Sequence, residues 1–211
     1  MMFVARGGMF AGSQAVPFDA VGDGANGTGS VQSWSHTATA GADVFVWHCT
    51  TGTATSTGCT YGGVAMTLLG AVSHNNNASL GQLALYHLAG VAGGSKTVAA
   101  TKSNATNSAC AGSVSYLGIG SVGTPASAYG ASSSAMQSAT VPAGSLVVQG
   151  LGARADDFSG ITGGAQRFNG SRGGVAAGLI ISDSPVSTAF VGAINSSTDW
   201  SALNVVLTRA P

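Results

Sequence analysis

Charge is what this chain lacks most. Only 7% of its 211 residues are charged, against roughly a quarter in an ordinary soluble protein. Seven Lys and Arg balance seven acidic residues, all of them Asp; there is no Glu. A nucleic-acid face needs clustered Lys and Arg, and so does a polybasic membrane patch. Neither partner is therefore expected. No apolar stretch approaches the ~18 residues of a membrane span, so no membrane insertion is expected either. The opening MMFVARGGMF lacks the continuous apolar run of a secretory signal. Export inside a larger particle would reconcile that with the extracellular look of the composition.

What is present in quantity is small. Glycine occurs 33 times, and each one inside a helix costs about 1 kcal/mol relative to Ala. Hydrophobic residues make up 45%, enough for a true core. The remaining polarity is Ser, Thr and Asn. Such a surface repels itself weakly and loses little side-chain entropy when covered, which suits a packed assembly or a secreted protein.

Short apolar or alternating runs recur between Gly/Ser/Asn clusters, the pattern of many short strands. About twelve are expected: 33–39, 43–49, 64–72, 82–89, 96–101, 110–119, 135–141, 145–153, 166–168, 174–182, 188–194 and 202–208. The run DVFVWHCT is the most informative. Phe45, Trp47 and Cys49 share one face; Val44, Val46 and His48 share the other. Two apolar faces predict a central strand covered twice. SWSHT reads as a strand with one wet side. The final strand begins near Asp199. The stretch DDFSGITGG, 156–164, reads as a loop. Residues 1–30 read as an N-terminal arm or leader, either lying on a neighbour or loose, and 31–211 as one domain.

The segment TYGGVAMTLLG poses a choice between a hairpin and a phosphate cradle. A cradle needs a helix and a Lys behind the glycines, and neither follows. Two adjacent glycines permit a tight primed turn, so Gly62 and Gly63 are expected to turn a hairpin.

Candidate chemistry is sparse. Cys49, Cys59 and Cys110 are an odd set: three buried thiols, or a Cys49–Cys59 bridge across a hairpin plus one thiol. His36, His48, His74 and His87 show no His spacing that suggests a metal site. Asp156 and Asp157 form the one acidic pair, too few oxygens for Ca²⁺ and best read as a solvated loop. There is no G-x-S-x-G elbow. No cofactor, metal site or enzyme activity is expected.

Several of these strands carry a resemblance. Thr60-Tyr61-Gly62-Gly63, Met66-Thr67-Leu68-Leu69-Gly70, Leu83-Ala84-Leu85-Tyr86-His87-Leu88, Val114-Ser115-Tyr116-Leu117-Gly118 and Thr124-Pro125 follow in order. The set resembles a β-sandwich module in minor tail proteins of actinobacteriophages and in some bacterial surface proteins. The resemblance spans roughly residues 33–207 and rests on strand patterns, with no catalytic signature. It implies an all-β, two-sheet antiparallel, jelly-roll-like sandwich. It also implies a non-enzymatic virion protein, assembled in the host cytoplasm and exposed after release. Expected partners are other virion proteins and further copies of this chain. A minor tail or tail-tip position is preferred over capsid decoration. The rival expectation is a carbohydrate-binding adhesion module touching a host-envelope glycan through Asn75, Asn76, Asn77, Tyr129 and Trp200. Phe3, Phe10 and Phe18 are the apolar residues by which an arm would hold a neighbour.

Overall fold

The computed structural model describes residues 16–154, 157–170 and 177–211. Among these there is no α-helix. In chain order the strands are β1 (Phe18–Val21), β2 (Ala25–Gly27), β3 (Val31–Ala38), β4 (Asp43–Thr50), β5 (Ser56–Tyr61), β6 (Val64–Ala65), β7 (Thr67–Ser73), β8 (Gln82–Leu88), β9 (Gly94–Lys102), β10 (Ala109–Tyr116), β11 (Ile119–Val122), β12 (Ala126–Ala139), β13 (Ser145–Arg154), β14 (Phe158–Thr162), β15 (Ala165–Asn169), β16 (Ala177–Ser184) and β17 (Thr188–Arg209). Two short 3₁₀ turns, His74–Asn76 and Ala78–Leu80, join β7 to β8.

The strands form three antiparallel sheets. One runs β1-β10-β4-β8-β7, with β2 also on β10. A seven-stranded sheet runs β11-β17-β13-β16-β15, with β12 and β14 on β17, and a four-stranded sheet runs β3-β9-β5-β6. The all-β sandwich expected from the sequence is present, with three layers where two were expected.

The reason lies in β4. Phe45, Trp47 and Cys49 pack with Leu146, Val148, Leu203 and Val205 of the seven-stranded sheet. Val44 and Val46 pack with Trp34, Tyr61 and Val98 of the four-stranded sheet. The sheet containing β4 is thus the middle layer, and two of its strands, β4 and β10, are buried almost throughout. A strand apolar on both faces needs a cover on each.

Trp47 locks two layers together. Its indole N–H donates to the Leu203 carbonyl at 3.1 Å, across the interface. The ring lies where Gly150 of β13 has no side chain: a Cβ there would stand 2.2 Å from Trp47 Cδ1. The hairpin reading of Gly62 and Gly63 is also correct. Tyr61 pairs with Val64, and the two glycines between them have φ of +57° and +83°, both positive as a type I′ turn requires.

Four expectations change. Residues 18–30 are no separate arm, because β1 and β2 pair with β10 in the middle sheet. Phe18 is accordingly half-buried against the chain's own core. It packs edge-on against Tyr116 at 5.7 Å and lies under the Arg167 guanidinium at 4.1 Å. Phe3, Phe10 and Asp156 lie outside the described residues. The expected loop at 156–164 contains β14, which pairs with β17. The expected strands 188–194 and 202–208 are one strand of 22 residues. Its C-terminal half pairs with β13, and its N-terminal half pairs with β14 and the end of β12. Between Ser132 and Ser134 of β12 the partner passes from Thr198 to Ala193, so the extra residues of this irregularity lie in β17. On the outer face of the seven-stranded sheet, Leu151 and Ile180 are buried with Ala135, Phe158 and Ile194.

These contacts set expected stabilities. Trp47→Ala should cost about 3–5 kcal/mol through the lost ring and its cavity. Gly150→Ala should cost about 1–3 kcal/mol by overpacking the same spot. Val64→Ala, at a residue 57% exposed, should stay within about 0.5 kcal/mol. Urea midpoints of the three variants, at unchanged m-value, check the order.

Candidate functional site

The three-layer stack turns polar residues inward along with apolar ones, and the histidines show what that does. His36, His48 and His74 are fully buried. Each has a serine hydroxyl at its Nδ1: Ser113 for His36 at 2.8 Å, Ser56 for His48 at 2.7 Å and Ser201 for His74 at 2.8 Å. Serine beside imidazole is the pairing of a nucleophile and its base, so each pair is a candidate for catalysis.

The surrounding bonds assign the protons. Asp19 Oδ2 accepts from the Ser115 hydroxyl at 2.7 Å, so Ser115 has no proton left for His36 Nε2, 3.0 Å away. Nε2 must therefore carry the hydrogen and donate. His36 Nδ1 then accepts from Ser113, whose oxygen in turn accepts from the Trp34 indole N–H at 2.8 Å. His48 Nε2 faces the Gln32 side-chain oxygen at 3.1 Å, and His74 Nε2 faces the Thr50 carbonyl at 2.9 Å. Both partners are acceptors only, so both rings take the same Nε2–H form as His36. The Ser56 hydroxyl that donates to His48 accepts in turn from Tyr86 at 2.9 Å.

A second proton on any of these rings would face a hydroxyl already donating to it. Burial adds a larger penalty. It lowers the His36 pKa to about 4, with the Asp19 charge opposing, and the His74 pKa to about 4, with the Thr50 carbonyl and Asp199 opposing. His48 falls to about 3, by burial and then the nearby Lys102 charge. For Asp19, burial works against the carboxylate, but bonds from Thr39 and Ser115 outweigh it and hold the pKa below the usual range.

These values bear on what the three serine–histidine pairs do. Ser56 is the one serine of the three that is partly exposed; with Tyr86 it lines an open groove beneath Met66 and Leu68. A general base works best with a pKa near the ambient pH, and His48 lies about four units below neutrality. Ser113 and Ser201 are fully buried. The three pairs serve to satisfy buried polar groups.

The fourth histidine is different. His87 Nε2 meets Asp43 Oδ2 at 2.8 Å, and its ring stacks on Phe45 at 4.6 Å. Tyr116 of the middle sheet reaches the Arg167–Asp183 ion pair of the seven-stranded sheet. Tyr116 donates to Asp183 Oδ2 at 2.7 Å, and Arg167 Nε donates to the same oxygen at 2.8 Å. Burial pushes the Tyr116 hydroxyl far up, and the Asp183 charge adds to it. Among the described residues, no group of three or more His, Cys or Asp side chains gathers as a metal site. No helix there is long and apolar enough to cross a membrane.

The residues expected to meet a glycan are partly brought together. Asn75 donates to Asp199 Oδ1 at 3.1 Å, and Arg154 holds the other Asp199 oxygen at 3.3 Å. Tyr129 pairs with Ser201 and Ala131 with Asp199, so Tyr129 lies on the face of β17 that meets the His74–Asn76 turn. It is 48% exposed. Trp200 points the other way. It is buried, its indole N–H donates to Ser132 at 3.0 Å, and its ring fills the space over Gly130. Asn76 is exposed, and Asn77 serves the turn by accepting from the Ser79 amide at 3.0 Å. Tyr129, Asn75 and Asn76 thus form an exposed corner that excludes Trp200.

A second concavity had no signal in the sequence. A cleft of about 250 Å³ opens between Asp23–Asn26 on one side and Phe168–Gly170 on the other, with the buried Cys110 also in its lining. It is assembled from three segments far apart in the chain.

No family model matches the chain, and no curated protein matches it. Among solved structures, a secreted-protein candidate from Eubacterium rectale is similar at 8% identity and a TM-score of 0.19, over 84% of this chain and 70% of that one. A likeness at that level carries no argument about fold or function.

The buried histidines make the fold acid-sensitive. In the unfolded chain each titrates near 6.5; in the folded chain, near 3 to 4. Between those values the unfolded state binds more protons, so stability is fully present above pH 6.5 and is lost as pH falls toward 4. At pH 5 the three together should cost on the order of 5 kcal/mol relative to pH 7. His48→Gln should flatten the acid limb of a plot of urea midpoint against pH by about a third. An unchanged limb would remove His48 from the account.

Proposed function

We propose that this chain is a non-enzymatic structural protein of a tailed-phage virion, a minor tail or tail-tip component that acts by contact. One observation carries the reading: the serine–histidine pairs are spent inside the core, and the surface left for other molecules is nearly uncharged. A stiff layered body with a neutral Ser/Thr/Gly skin binds by shape and apolar contact, and repeated or symmetric neighbours suit it. Val64 and Leu68, 57% and 50% exposed on adjoining strands, supply apolar contact. The tail context comes from the strand-motif resemblance described above. Other virion proteins and further copies of the chain are the proposed partners.

The corner of Tyr129, Asn75 and Asn76 favours a second reading as a carbohydrate-binding adhesion module. An exposed aromatic beside amide side chains is the chemistry by which β-sandwiches hold sugars, and a tail protein could carry it at the host envelope.

The readings separate experimentally. Antibody to the purified protein should label the tail end of intact particles in electron micrographs. Labelling spread over the capsid shell would move the chain to decoration, and an unlabelled particle would remove the virion role. On immobilised host cell-wall polysaccharide, the soluble protein should be retained if the second reading holds. Tyr129→Ala should then reduce retention at least tenfold with an unchanged urea midpoint; equal retention by the variant rejects the corner as the site.

A further inference from the structure

Cys49 and Cys110 stand directly opposite each other on the neighbouring strands β4 and β10. Residues in direct register on antiparallel strands point to the same face, with Cα atoms about 4.5–5.5 Å apart. That separation lies within the roughly 4.4–6.8 Å a disulfide requires. Both side chains enter the core between the middle and seven-stranded sheets, and none of the three cysteines is bridged. Cys59 is on β5 of the four-stranded sheet, in the other core. A bridge from Cys49 to Cys59 would have to pass through the middle sheet, which rules out the hairpin pairing that the sequence left open.

Cys110 is among the residues lining the cleft of about 250 Å³ between Asp23 and Phe168, and both cysteines are buried, so a reagent reaches the pair when the fold opens. The strands are held in register over eight paired residues, so the two Cα atoms stay opposite each other, while Cys49 Sγ lies near His74 Nε2 and the Ala153 carbonyl and Cys110 Sγ near the Gly170 carbonyl.

We propose that Cys49 and Cys110 are a redox-active pair, converted by a small-molecule disulfide into a cross-link between β4 and β10, while Cys59 keeps its thiol. The Cys110 thiolate attacks one sulfur of the small disulfide. The S–S bond breaks, one small thiolate leaves, and a mixed disulfide remains on Cys110. The Cys49 thiolate then attacks the Cys110 sulfur and expels the second small thiolate. Two protein thiols are oxidised, one small disulfide is reduced to two thiols, and the protons pass to solvent and the departing thiolates. Burial holds the Cys49 thiol protonated, so exchange is slow in the closed fold and proceeds when the chain opens or folds. The inference rests on strand register and is independent of the proposed function.

The test unfolds the full chain and refolds it in mixed reduced and oxidised glutathione, followed by alkylation, digestion and mass spectrometry. Titratable thiols should fall from three to one, a linked peptide should join Cys49 to Cys110, and the urea midpoint should exceed that of the reduced protein. Cys59→Ser should give the same linked peptide, and Cys110→Ser should give none. A bridge that includes Cys59 would overturn the proposal. So would glutathione retained on Cys110 beside an alkylated Cys49, or three thiols surviving in a protein whose circular dichroism is native.

Discussion

The middle sheet has its central strands dry on both sides, and most of what is distinctive in this protein follows from that constraint. Phe45, Trp47 and Cys49 on one side of β4, and Val44 and Val46 on the other, can leave water only if two further sheets close over them. Once they do, every polar group on those strands must find a partner inside. The Trp47 indole reaches the Leu203 carbonyl, and Gly150 leaves the space for the ring. Tyr116 and Arg167 converge on one oxygen of Asp183. An unpartnered group in such a place costs about 1–3 kcal/mol, a large part of a domain's net stability.

The serine–histidine pairs answer the same demand. Each uses a neutral imidazole as a two-ended connector, accepting at Nδ1 and donating at Nε2. A chain runs from Trp34 through Ser113, His36 and Ser115 to Asp19, linking β3 of the four-stranded sheet to β10 of the middle sheet. Neutral rings satisfy buried partners without a buried charge, and they bind the fold's stability to a pH above their unfolded-state titration. The same residues that would suggest an active site in a list are here hydrogen-bonded inside the core.

Much of the architecture was legible. The two apolar faces of 43–49 announced a doubly covered strand, and the alternation of exposed and buried residues along β3 matches the one wet side read from SWSHT. Gly62 and Gly63 announced their turn. Other parts were silent for a physical reason. The strand β14 is rich in Gly, Ser and Thr and gains its order from pairing with β17. β1 and β2 are held by β10, more than eighty residues away, and neither has a strong periodicity of its own. At the exposed corner, the sequence supplied Asn75 and Tyr129 correctly as surface groups. It could not reveal that Trp200 faces the opposite side of the same strand, because facing depends on which sheet covers which side.

By itself, the sequence determined an all-β sandwich with a neutral surface. Glycine density, missing charge and period-2 apolar runs are local properties that no tertiary arrangement can reverse. Only the tertiary structure decided that there are three layers, that Cys49 faces Cys110 and turns away from Cys59, and that the histidines are sealed. Those outcomes depend on register and stacking between strands far apart in the chain, where the energy belongs to pairs of segments and is written in neither one alone.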